Sequence, residues 1–143
     1  MKSEKFSTAD AIKRLIPQRE PFIMVDEIEA TDDTHAVSSL TVCADNYFML
    51  PDGTISETGL IEHIAQSCSA LMGIQALGLD NPPVGLIGEV KRFDCQRRAK
   101  SGEKVATTIE FGFVFGNVTI ATGESRVGDE VIAKAQLKIF VQQ

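Results

Sequence analysis

The sequence predicts an α+β fold, an antiparallel sheet wrapped around one long central helix, in one domain over residues 1–143. Two observations carry this. Residues 56–78, S-E-T-G-L-I-E-H-I-A-Q-S-C-S-A-L-M-G-I-Q-A-L-G, are too long and too rich in Ala, Leu, Ile and Met for a loop or a strand. From residue 84 onward the chain reads as strands separated by tight turns. The helix is apolar almost all round, and such a helix is buried rather than laid on a surface. In an otherwise antiparallel chain, only a sheet that curls around it covers every face. That arrangement leaves the sheet edges and one helix flank open. A dimer is therefore expected, with sheets joined edge to edge or helices packed together.

The elements follow in order. Ser7 or Thr8 caps a short helix over residues 9–16, stopped by Pro17. From Phe22 the run Phe22, Ile23, Met24, Val25 reads as a strand, and Asp32 and Asp33 mark a turn. Residues 35–44 alternate as a second strand. Residues 45–55 form a loop, unusually apolar at Tyr47, Phe48, Met49 and Leu50, which suggests either a core flap or the wall of an apolar pocket. The long helix stops at Gly78, Asn81, Pro82 and Pro83. Strands follow over residues 84–93, 105–115, 118–126 and 131–141. They are joined at Ser101-Gly102, Gly116-Asn117 and Gly128-Asp129.

Composition narrows the function. The net charge of −6 argues against a nucleic-acid binder. The first ten residues lack a secretory h-region, and no apolar run has the length of a membrane span, so a cytoplasmic protein is expected. Cys43, Cys68 and Cys95 are odd in number and widely spaced, and read as reduced thiols. Two histidines without ligand spacing suggest no metal, and the absence of a phosphate-cradling or dinucleotide loop suggests no cofactor.

Polar residues inside the apolar helix are the strongest functional signal. Glu62 and Gln66 are one turn apart on a shared face, and His63 lies between them. A carboxylate buried there needs either a structural partner or a chemical role. Charge is also uneven. Residues 20–33 hold six acids and no base, whereas residues 91–104 hold six bases, among them Arg92, Arg97, Arg98 and Lys100, against Asp94 and Glu103. That basic run is either a solvated strand end or a dock for an acidic partner.

Three stretches resemble the β-hydroxyacyl-[acyl-carrier-protein] dehydratases of the hotdog superfamily. L-I-P-Q-R-E-P-F-I-M-V-D-E-I at 15–28 is similar to the family's L-L-P-H-R-x-P-F-L-L-V-D. G-L-I-E-H-I-A-Q at 59–66 is similar to its helix motif I-E-A-x-A-Q. V-G-L-I-G-E-V-K-R-F-D-C-Q-R-R-A-K-S-G-E at 84–103 is similar to its G-x-D-x-x-R-F-x-x-P-V-x-P-G-D, and V-I-A-K-A-Q-L-K-I-F fits its closing strand. The nearest branch is that of the dehydratase-like proteins of aryl polyene and flexirubin-type pigment clusters. They share R-F-x-C, here Arg92-Phe93-Asp94-Cys95.

The resemblance implies removal of water from a 3-hydroxyacyl thioester on acyl carrier protein or coenzyme A, without metal or redox cofactor. It places Glu62 on the helix acid and Gln66 on the family's glutamine, with oxyanion donors near Thr58, Gly59 and Leu60. An acyl pocket would be walled by Tyr47, Phe48, Met49 and Met72. Carrier docking would fall to Arg92, Arg97, Arg98 and Lys100. One departure stands out. The family's catalytic histidine precedes the acid by fourteen positions, where this chain has Phe48, and its P-H-R histidine is Gln18 here. His63 is then either a substitute catalytic group or a satisfied core histidine. Besides a dehydratase of fatty acid or polyene biosynthesis, the residues allow a non-catalytic acyl-carrier-binding subunit of a heteromeric enzyme, or a thioesterase in which Glu62 activates water. A homodimer and a heterodimer are both expected partnerships.

Overall fold

The protein is described by a computed structural model covering residues 4–80 and 84–142. Nine elements follow in order: β1 (Glu4–Phe6), α1 (Ala9–Lys13), β2 (Glu27–Ala30), β3 (His35–Thr41), α2 (Glu57–Gln75), β4 (Val84–Cys95), β5 (Lys104–Phe115), β6 (Val118–Val127) and β7 (Glu130–Gln142). The strands form one antiparallel sheet in the order β1-β2-β3-β5-β6-β7-β4. The crossover that sends β4 to the far edge carries α2 between β3 and β4, so the helix lies in the hollow of the sheet.

The inner face of the sheet alternates as a half-buried sheet should. Ala36, Ser38 and Leu40 on β3 point inward, as do Val105, Thr107, Ile109 and Phe111 on β5 and Ala135, Leu137 and Ile139 on β7. Ile64, Cys68 and Leu71 of α2 sit in a core with Ile12, Ile16, Ile109 and Leu137. Leu60 belongs to a second core with Met24, Leu40, Val42, Ile55 and Ile132. The three cysteines are free thiols, and burial pushes that of Cys68 up to about 12.

The central helix starts where the sequence places it, with the Ser56 hydroxyl accepting from Gly59 N–H. It ends before Gly78, whose φ of +86° is open to glycine, while the stop expected at Asn81, Pro82 and Pro83 lies outside the described residues. It is not buried all round. Thr58, Ile61, Glu62, Ala65, Ser69 and Met72, spaced three and four apart, are exposed or half-exposed and make one open flank. Thr8 caps α1, which is shorter than expected, because the chain tightens into a turn after Lys13.

The expected strand from Phe22 is a second correction. Residues 22–25 pair with no strand, and β2 begins at Glu27. An apolar run of four cannot be told from a strand by pattern, and here its backbone bonds go to side chains of α2 instead. The short β1 at the opposite edge from β4 lies outside the expected elements.

Two predictions follow from the packing. Gly73 of α2 lies against the backbone of Leu15, whose carbonyl oxygen occupies the space a Cβ would need. Gly73→Ala should lower the unfolding free energy by about 1–3 kcal/mol, the usual cost of overpacking, in urea titrations. At the start of β3, His35 bridges Asp32 at 3.0 Å and Glu110 of β5 at 3.1 Å. The bond to Asp32, then its charge and Glu110, hold the imidazole above its ordinary 6.5. A raised folded value means the clasp contributes fully below about pH 6.5 and fades as pH rises through the folded value. His35→Gln should flatten the pH dependence of stability in that window, read from urea midpoints between pH 6 and 8.

Candidate active site on the open helix flank

Glu62 projects from the second turn of α2, half-buried, on the flank that the chain's own sheet leaves open. Its Oε2 accepts from Gln66 Nε2 at 3.0 Å. Gln66 is saturated: Nε2 also donates to the Phe22 carbonyl at 2.7 Å, and Oε1 accepts from Met24 N–H at 2.6 Å. The glutamine thus ties the irregular segment 22–25 to α2 and points an amide hydrogen at the carboxylate. A carboxylate held at one oxygen, with its flank open, can exchange a proton with a reacting group.

His63 is fully buried, with both ring nitrogens engaged inside the chain. Nδ1 lies 2.7 Å from the Met24 carbonyl, and Nε2 lies 2.7 Å from Thr107 Oγ1. Burial lowers its pKa, so the ring is held neutral. His35 is on the sheet's outer clasp with Asp32 and Glu110. Among the described residues, neither histidine is presented beside Glu62.

The start of α2 is arranged differently from the expectation. Gly59 N–H is taken by the Ser56 cap at 3.2 Å and Leu60 N–H by the Ser56 carbonyl at 3.2 Å, so those two donors are spent within the helix. Thr58 is exposed beside them. The Phe48 ring packs on Gly59, where any Cβ would collide with it. Phe48 and Met49 lean on the second core, whereas Tyr47 is 58% exposed and stacks edge-on between Phe22 and Phe48. Met72 lies roughly 20 Å further along the helix, against Gly85 of β4. Tyr47, Phe48 and Met49 therefore gather at the start of the helix, and Met72 lies apart from them.

The basic run is folded into ion pairs. Arg97 pairs with Glu103 at 2.9 Å and Glu130 at 3.1 Å, and these carboxylates hold its guanidinium above its ordinary value. Arg98 grips Asp52 at 2.8 Å and Glu57 at 3.3 Å, tying the loop before α2 to the turn after β4. The bonds from Thr54 and then Arg98 bring the Asp52 carboxyl down to about 2. Arg92 pairs with Asp94 at 2.9 Å, and Lys100 is exposed. A cavity of about 400 Å³ opens beside this cluster, lined by Thr54, Glu57, Cys95, Gln96, Arg97, Arg98 and Lys100. Sequence reasoning placed Asp94 and Glu103 within the basic run but not Asp52, Glu57 and Glu130, which lie up to 46 positions away.

A curled antiparallel sheet around one helix bearing a half-buried acid defines a hotdog protein. The fold is shared with a chain of the dehydratase heterocomplex ApeI:P from Xenorhabdus doucetiae, at a TM-score of 0.81 and 19% identity, covering 92% of this chain and 90% of that one. It is also shared with the E. coli PaaI protein from the phenylacetic acid degradation operon, at a TM-score of 0.66 and 15% identity, covering 79% and 80%. The 3-hydroxyacyl-[acyl-carrier-protein] dehydratase FabZ of Natranaerobius thermophilus is 27% identical over 130 residues, 88% of this chain and 91% of that protein. Residues 10–143 match the sequence model of the ApeP-like family, described as ApeP dehydratase, and the chain belongs to that family.

Gln66→Leu should leave Met24 N–H and the Phe22 carbonyl unpaired and cost roughly 2–5 kcal/mol in urea unfolding.

Proposed function

We propose that this chain dehydrates 3-hydroxyacyl thioesters carried on acyl carrier protein, in fatty acid or polyene biosynthesis in the cytoplasm, as the acid-bearing half of a dimeric site. The observation that carries the reading is Glu62, held by Gln66 at one oxygen on the open flank of α2. Family membership and the relatives' dehydratase names support the reaction class. A base takes the proton from the carbon next to the thioester. The C–O bond at the β-carbon breaks, and Glu62 protonates the departing oxygen, so the products are water and the 2,3-unsaturated thioester. With His63 and His35 both engaged elsewhere, the base comes from a second hotdog chain seated over that flank. The description of a dehydratase heterocomplex for a structural neighbour supports such pairing.

The flank itself asks for a cover. Ile61, Ala65 and Met72 are apolar and only half-buried, and β4 is a long edge strand exposing Leu86, Ile87 and Val90. Arg98 serves this site by fixing the loop before α2, and Arg97 braces the turn after β4. Carrier contact falls to the exposed Lys100 beside them and to the exposed Arg92 on β4.

The test is turnover of 3-hydroxyacyl carrier protein by the purified assembly, followed by intact mass. Glu62→Gln should lower dehydration by about 10²–10⁴-fold while the protein still binds the carrier. Full activity in that variant would remove Glu62 from the role. Release of free carrier in place of water loss would point to a thioesterase.

A further inference from the structure

His63 is the polar residue of α2 that the dehydration chemistry leaves unused, and its hydrogen bonds are fully determined. A carbonyl oxygen only accepts, so the ring nitrogen 2.7 Å from Met24 O carries the proton. Nε2 then accepts from the Thr107 hydroxyl, which in turn accepts from Ser125 at 2.7 Å. Ser67 donates to the His63 carbonyl at 2.7 Å and accepts from Ser38 at 2.6 Å. The charged group that acts on the ring is Asp26, whose carboxylate is occupied by Thr41 N–H at 2.7 Å. These polar groups close on one another inside the core, so the ring is a fixture rather than a proton relay to solvent.

What it fixes leads back to Glu62. Met24 belongs to the segment that pairs with no strand, and both its backbone groups are held by α2: the carbonyl by His63 and the N–H by Gln66 Oε1. With its oxygen committed to Met24, the Gln66 amide has one orientation, in which its two hydrogens go to Phe22 O and Glu62 Oε2. The bonds run without a break from His63 to Met24, Gln66 and Glu62.

We propose that His63 is a positioning residue for Glu62: as the Nδ1–H tautomer it pins Met24, Met24 sets the rotation of the Gln66 amide, and that amide sets the direction of the carboxylate. The functional meaning of this run rests on Glu62 being the acid proposed above, whereas its geometry is measured without turnover.

The experiment is NMR on the full chain labelled at histidine and glutamine. His63 should show a protonated Nδ1 and a bare Nε2, unchanged from pH 5.5 to 8, while His35 titrates. A protonated Nε2 with bare Nδ1 in the unsubstituted protein would overturn the inference, and this needs no variant to fold. In His63→Leu, exchange of the Met24 amide should quicken about tenfold, the equivalent of one buried hydrogen bond, and the Gln66 side-chain amide signals should shift. His63→Asn, which keeps a donor near the Nδ1 position, should restore both. Wild-type exchange and Gln66 signals in a folded His63→Leu would refute it. Because every readout is spectroscopic, a chain that fails to turn over 3-hydroxyacyl thioesters counts against the proposed function alone.

Discussion

Each polar group that α2 carries into the sheet must find a partner there. A helix wrapped by a sheet has no water to satisfy its side chains, and an unpaired buried donor or acceptor costs on the order of 1–3 kcal/mol. His63, Gln66 and Ser67 are all buried, and all are bonded. Their partners are of two kinds: inward-facing hydroxyls of the sheet at Ser38, Thr107 and Ser125, and the backbone of residues 22–25. The second kind is what makes the site. A segment with no strand of its own is held in place by the helix that bears the acid.

The same constraint explains why the site sits where it does. Satisfied polar groups face the sheet, and Glu62 lies on the flank the sheet does not reach. Among the described residues, its carboxylate takes a single hydrogen bond, from Gln66 at Oε2. At the end of α2 that carries the Ser56 cap, a second set of contacts stiffens the approach. Arg98 ties the loop at Asp52 to the helix at Glu57, and Arg97 ties the turn after β4 to Glu103 and Glu130. Two of the cations in the basic run, Arg97 and Arg98, act here as internal braces.

How much of this was legible in the sequence depended on the range of each interaction. The central helix, the β-meander and its glycine turns rest on local periodicity and local conformation, and they stand within three residues of their expected bounds. Glu62 and Gln66 were legible as a pair because an i,i+4 spacing fixes their shared face. The run at residues 22–25 was not, because four apolar residues pair as well with helix side chains as with a strand, and the deciding partners lie about forty positions away. The pairing of Arg97 with Glu130 and of Arg98 with Asp52 and Glu57 was hidden for the same reason. So was the open flank, since hydropathy reports that a helix is apolar and not which part of it the chain's own sheet covers.

That flank bears on why a histidine can follow the acid directly. Successive residues on a helix are about 100° apart, and with Ile61 and Glu62 both on the open flank the next position rotates away from it. With Glu62 turned to the open side, position 63 must turn into the sheet, where a titrating group would be costly. The structure resolves this by burying the ring neutral between a carbonyl and a hydroxyl. Phe48, at the position where the resemblance places the family's histidine, packs on Gly59. Both histidines are thereby committed to the fold, and the proposed dehydration for that reason draws its base from a second chain over the flank.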